Sequence, residues 1–245
     1  MHGTDTGVRA IAHYPWRVLP LPAAVLFDLD GTIIDSEPYW IAAELELAAR
    51  DGGNWTHADG LSLIGSNLQY SAQQLRDRGG IRGSDDEIIA DLITSVERHN
   101  RVYGVRWRPG ALALISSLRT VGVPCAIVTM SYRALAQAVV DALPEGSIAT
   151  VVAGDEVRFG KPHPEPYLRA AAALGVDPAR CVGIEDSPTG IASVEAAGVR
   201  SLGVPFLVHL HAAPGRSRVP SLAEVTLDDL RAIAAGQPID RVDQP

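Results

Sequence analysis

The chain has 245 residues, with 21 Lys and Arg against 29 Asp and Glu, so its formal net charge is −8. With 47% hydrophobic and 20% charged residues it has the composition of a globular protein with a sizeable core, not of a disordered chain. The acidic balance argues against nucleic acid or an anionic membrane as partner, and no apolar run approaches the about 18–20 residues of a bilayer span.

Residues 1–22 lack the continuous apolar stretch behind a basic head that a secretory signal requires. They read as a flexible leader, with Tyr14 and Trp16 packing on the domain surface. The two cysteines, Cys125 and Cys181, exclude a disulfide scaffold and suit a reducing compartment, so a cytoplasmic protein is expected. The first strand is Ala24-Val25-Leu26-Phe27-Asp28, a continuous apolar run of the kind buried on both faces of a parallel sheet.

From residue 37 to 105 no buried strand follows, only helical patterns. Ser36 is placed to cap a helix in which Ile41, Leu45 and Ala48 share a face before Asp51-Gly52-Gly53 ends it. Leu68, Ala72 and Leu75 mark a second helix, closed by Gly79-Gly80. Ser84-Asp85-Asp86-Glu87 is a capping box opening a third, with Ile89, Leu92, Ile93 and Val96 inward. This insert leaves through Arg106-Trp107-Arg108-Pro109-Gly110.

Strands then return at Val123–Thr129, Ile148–Ala153, Arg180–Ile184 and Arg200–Val204, alternating with helices at Ala111–Arg119, Tyr132–Leu143, Glu165–Leu174 and Thr189–Ala197. The alternation predicts an α/β fold, a doubly wound parallel sheet. The organisation expected is a leader (1–22), a split α/β core (23–36 and 106–235), a helical insert (37–105) and a frayed tail (236–245).

Ligands of open parallel sheets bind outside the carboxyl ends of the strands. There stand Asp28-Leu29-Asp30-Gly31-Thr32, then Thr129-Met130-Ser131, the loop Gly160-Lys161-Pro162, and Glu185-Asp186-Ser187. Residues two apart on an extended segment point the same way, so Asp28 and Asp30 face one cleft. So many carboxylates on one edge are costly without a cation. Hard oxygen donors suit Mg²⁺, while Lys161 and the Thr129 hydroxyl can hold an anion. The constellation reads as a phosphoryl-transfer site.

These stretches, in this order, resemble the four motifs of the haloacid dehalogenase superfamily. Lys161-Pro162-His163-Pro164-Glu165-Pro166-Tyr167-Leu168 and Gly183-Ile184-Glu185-Asp186-Ser187-Pro188-Thr189-Gly190 are similar to its beta-phosphoglucomutase and sugar-phosphatase branch, which carries a helical cap on a Rossmann-like core. The resemblance covers residues 23–235. It implies that Asp28 is the nucleophile and that Asp30 is the general acid and base. Thr129, the Met130 amide and Lys161 would hold phosphate. Mg²⁺ would be bound by Asp28, the Asp30 backbone carbonyl and Asp186, with Glu185 as ligand or as support. Dehalogenase members lack the second Asp of the first motif, and Asp30 is present here.

Within that branch, mutases place a His five residues after the position of Asp35, where this chain has Trp40, and an Arg where it has Leu68. A Mg²⁺-dependent phosphatase acting on a small phosphorylated metabolite, through an aspartyl-phosphate, is therefore the favoured reading. A phosphosugar mutase or a non-catalytic interaction module are the alternatives. Glu37, Trp40, Asn67 and Gln69 are candidates for substrate specificity by position alone, and a monomer is expected. Bland readings suffice elsewhere: Thr32 as a turn residue, Cys125 and Cys181 as small core residues, His163 as structural, and His209 and His211 as loop residues despite their strand-like alternation.

Overall fold

A computed structural model describes residues 19–64 and 66–242, so Tyr14 and Trp16 lie outside the described residues. Strand β1 (Ala24–Phe27) is followed by four consecutive helices: α1 (Glu37–Asp51), α2 (His57–Leu61), α3 (Leu68–Asp77) and α4 (Asp85–Tyr103). Thereafter the chain alternates through α5 (Ala111–Thr120), β2 (Cys125–Val128), α6 (Arg133–Asp141), β3 (Thr150–Val152), α7 (Glu165–Leu174), β4 (Cys181–Glu185), α8 (Pro188–Ala196), β5 (Arg200–Gly203), β6 (Ser217–Arg218) and α9 (Leu227–Ala234). The strands form one sheet in the order β3-β2-β1-β4-β5-β6, with every neighbouring pair parallel. Phe27 stands opposite Ile127 on one side and Ile184 on the other.

The period-two alternation of each strand feeds two apolar layers. Val25, Phe27 and Ile127 pack with Ile115 and Leu118 of α5, Val139 of α6 and Leu230 of α9. Ala24, Leu26 and Val128 pack on the opposite face with Tyr167 of α7 and Val194 of α8. Cys125 and Cys181 are buried in these strands, and burial pushes their thiols up to about 12 and about 11. They are inert core residues.

Helices α1 to α4 enclose a separate apolar cluster of Leu47, Trp55, Leu75, Ile88 and Leu92, joined by Leu135 from α6. The chain enters and leaves this layer side by side: Asp35 N donates to Arg106 O (2.8 Å), Arg108 N to Ile33 O (2.9 Å), and Ile34 faces Trp107 in an antiparallel bridge. The α4 capping box forms with both halves in place. Helix α2, absent from the sequence reading, is opened by a second box of Thr56 and Asp59.

Two expectations need correction. Ser36 precedes α1 but makes no side-chain cap; its hydroxyl is used elsewhere, as described below. Residues 236–242 do not fray. Arg218 N donates to Ile239 O (2.8 Å) and Arg241 N to Arg218 O (2.9 Å). Arg218, 1% exposed, gives its guanidinium to Asp240 (2.8 Å) and the Leu210 carbonyl (2.7 Å). The segment is held because a buried charge requires its partner.

Candidate active site

The carboxyl end of β1 carries the first acids. Asp28 N donates to Ile184 O (2.9 Å), which extends the sheet pairing and fixes the backbone there. Asp28 is 7% exposed. Its Oδ2 accepts from Thr32 Oγ1 at 2.8 Å, and its Oδ1 accepts from Lys161 Nζ at 2.6 Å. Thr32 therefore orients Asp28 and is more than a turn residue. Gly31 has φ +86°, and a Cβ there would stand 2.2 Å from Asp186 Oδ2, so only glycine lets the loop pass this close to the acid after β4.

Lys161 follows β3 in a loop that packs on Met130: its backbone N–H points at the Met130 sulfur (3.1 Å), and the Lys161–Pro162 peptide is cis. The ammonium donates to Asp28 Oδ1 (2.6 Å) and the Val128 carbonyl (2.8 Å) and forms an ion pair with Glu185 Oε1 (2.6 Å). Burial opposes its charge, but the two carboxylates outweigh burial and raise its pKa above the usual lysine value.

Glu185 is wholly buried. Besides Lys161, its Oε1 accepts from Tyr167 Oη at 2.7 Å, and its Oε2 from Ser187 Oγ at 3.2 Å. A Cβ at Gly190 would overlap this carboxylate at 1.9 Å, so the first turn of α8 is built around it. Carboxylate oxygens of Asp28, Glu185 and Asp186 all lie within 4.8 Å of one another, the only such cluster of three among the described residues. Burial, then the charges of Asp28 and Glu185, push Asp186 up to about 8. One lysine faces three carboxylates, and every donor is a hard oxygen. That set fits a small divalent cation held by Asp28 and Asp186, and it offers no nitrogen or sulfur for a softer metal.

Asp30 is held apart from this cluster. Ser36 Oγ donates to its Oδ1 at 2.5 Å, while Ser131 Oγ (2.6 Å) and Thr129 Oγ1 (3.3 Å) donate to Oδ2. Burial raises its pKa, and the hydroxyls of Ser131 and Ser36 only partly offset that. The network is knit further by Ser131 N, which donates to Thr129 Oγ1 at 2.9 Å.

The insert residues divide. Glu37 is half-buried, and burial followed by the charge of Asp30 pushes it up to about 7. Trp40 packs on the apolar cluster of the insert. Asn67 accepts from Tyr70 N (2.8 Å) as the cap of α3, and Gln69 is exposed. His163 receives the Glu165 N–H (3.2 Å) and stacks on Phe159, while His209 and His211 are exposed in the loop after β5. Ser36, Ser131 and Tyr167 were not singled out as site residues. Ser131 and Tyr167 stand inside the motif stretches and Ser36 just beyond the first of them, but nothing in residue type alone tells a hydroxyl bound to a carboxylate from one that faces water.

A doubly wound parallel sheet with carboxylates and a lysine gathered beyond its strand ends defines a Rossmann-like α/β protein with an acidic, cation-ready cluster at its sheet edge. The chain belongs to the haloacid dehalogenase-like hydrolase family, whose sequence model matches residues 22–198. It is 35% identical to hexitol phosphatase A of Escherichia coli (strain K12) over 187 residues, which cover 73% of this chain and 81% of that one. It is 33% identical to a phosphoglycolate phosphatase of Xylella fastidiosa over 189 residues, 74% of this chain and 79% of that one. The crystal structure of CbbY from Rhodobacter sphaeroides in complex with phosphate superimposes with a TM-score of 0.74 at 27% identity, over 83% of this chain and 96% of that one. No helix among the described residues is long and apolar enough to cross a membrane.

Proposed function

We propose that this chain is a Mg²⁺-dependent phosphatase that hydrolyses a small phosphorylated metabolite through an aspartyl-phosphate on Asp28. One observation carries the reading: Asp28 is fixed by Thr32 and Lys161 on opposite oxygens, while a second acid, Asp30, is held by three hydroxyls with its pKa raised. Relatives named as hexitol and phosphoglycolate phosphatases support the substrate class.

Asp28 attacks phosphorus as the bond to the leaving oxygen breaks, and Asp30 delivers its proton to that oxygen. Asp30 then takes a proton from the water that attacks the aspartyl-phosphate, releasing inorganic phosphate and restoring Asp28. Lys161, held between Asp28 and Glu185, acts on the phosphoryl group through its charge and by aligning Asp28. Thr129, whose bond to Asp30 is the longest of the three, is the hydroxyl that turns to a phosphate oxygen, beside the Met130 amide. Asp28, Asp186 and the Asp30 carbonyl would hold Mg²⁺, which neutralises phosphoryl charge. Glu185, with both oxygens engaged, supports Lys161. The free, buried cysteines suit a reducing cytoplasm.

The test is phosphate release from a panel of phosphorylated metabolites, with and without Mg²⁺. Turnover of at least one ester, dependent on Mg²⁺ and abolished in Asp28→Asn, is expected. Conversion of glucose 1-phosphate to the 6-phosphate without phosphate release would replace hydrolysis with mutase chemistry.

A further inference from the structure

Among the described residues, Arg108 carries the one buried side-chain donor left over. Its Nε is enclosed by protein and makes no hydrogen bond, the only such buried side-chain atom among the described residues. Two residues earlier, Arg106 is paired with Asp35 at 3.0 Å. A buried Nε without an acceptor is costly, and since it is closed off by protein, the part of Arg108 open to a ligand is its terminal amino groups.

Its position is fixed at both ends. The backbone N–H of Arg108 is bonded to Ile33 O (2.9 Å), two residues past the glycine that touches Asp186. Its guanidinium lies 3.7 Å from the centre of the Phe206 ring. Phe206 follows Val204, whose N–H is bonded to the Glu185 carbonyl at 2.7 Å. The side chain thus crosses from the first acidic loop to the loop after β5, on the flank of the carboxylate cluster that holds Asp186. Burial works against its charge, and Asp186 and Asp35 act to keep it. Stacking on an aromatic ring fixes the guanidinium plane but leaves the terminal amino groups to act as a fork for an oxyanion.

We propose that Arg108 is a specificity-determining residue that grips a second anionic group of the substrate, a carboxylate or a further phosphate, while the scissile phosphate lies at Asp28. The favoured substrates are then doubly anionic metabolites, not phosphorylated polyols that are otherwise neutral. This rests on the phosphatase reading of the same site.

The experiment compares three matched three-carbon esters: glycerol 1-phosphate, 3-phosphoglycerate and glycerol 1,3-bisphosphate. Each is assayed with the wild type, Arg108→Gln and Arg108→Lys. The wild type is expected to prefer one doubly anionic ester, which identifies carboxylate or phosphate as the group held. Arg108→Gln should raise KM for that ester by about tenfold or more relative to its effect on glycerol 1-phosphate, as for loss of a charge-assisted contact. Arg108→Lys should fall between, since it keeps charge without the fork. Calorimetric binding of the same esters to Asp28→Asn, with and without Arg108→Gln, gives a readout independent of turnover. Equal effects on all three esters, or a loss confined to kcat, would overturn the role of Arg108 and leave the phosphatase intact. Phosphate release from no ester in either this set or the wider panel would overturn both.

Discussion

Ser36 donates its hydroxyl to Asp30 Oδ1 at 2.5 Å, so the residue that opens α1 is bound to an acid of the sheet edge and not to the helix it precedes. The α-helical layer and the proposed general acid are thereby mechanically joined. Ser36→Ala should leave the helix intact, because no cap is lost, yet it should lower kcat about tenfold by releasing one oxygen of Asp30. Circular dichroism and steady-state phosphate release separate the two effects. A loss of helix content with unchanged kcat would reverse the assignment.

Lys161 is surrounded by acceptors, with Asp28 and Glu185 each at 2.6 Å. Lys161→Met leaves two buried carboxylates without their cation, which should cost about 3–5 kcal/mol in stability. Turnover should fall by about a hundredfold or more, since the charge facing the phosphoryl group is lost. Urea denaturation and phosphate release check the two figures. The neighbouring Tyr167→Phe, which removes the 2.7 Å bond to Glu185, should cost only about 1–3 kcal/mol.

The sheet was readable from sequence because its central strands are continuous apolar runs ended by turn residues, and α4 because Ser84 and Glu87 announce it locally. Strand β6 was not, since Ser217 and Arg218 are polar, and their partners Ile239 and Asp240 lie more than twenty residues further along the chain. The site shows the same division. Asp28, Lys161 and Asp186 could be brought together in advance because each stands at a strand end or in the adjoining loop. The Tyr167–Glu185 bond and the hydroxyls around Asp30 are tertiary contacts without local periodicity, so no pattern in the chain marked them. Arg108 was readable only as linker.

Gly31 presses its backbone against Asp186, where a Cβ would stand 2.2 Å from Oδ2, and its φ of +86° is itself disfavoured for other residues. Gly31→Ala should therefore displace Asp186 and weaken cation binding as well as the fold. Backbone strain accounts for about 1–2 kcal/mol of stability. The Mg²⁺ concentration for half-maximal activity should rise about tenfold or more, as expected when a ligand is pushed out of place. Calorimetric titration with Mg²⁺ checks the shift without relying on turnover.

Glu44 sits in the apolar layer of α1 at 5% exposure, with Oε2 accepting from Trp55 Nε1 at 3.0 Å. Burial pushes its carboxyl up to about 7, against 4.5 for a free glutamate. The folded state thus binds this proton more tightly than the unfolded state does. The group's contribution is complete below about pH 4.5 and is lost as pH rises through 7. Above that, the protein carries a buried carboxylate that costs up to about 3 kcal/mol. Glu44→Gln keeps an oxygen for Trp55 and removes the charge. It should match the wild type in denaturant midpoint near pH 4.5 and exceed it at pH 8, with the gap opening between those values. A gap that is constant with pH would show that Glu44 does not titrate in this range, and a wild type more stable at pH 8 than at pH 6 relative to Glu44→Gln would reverse the sign.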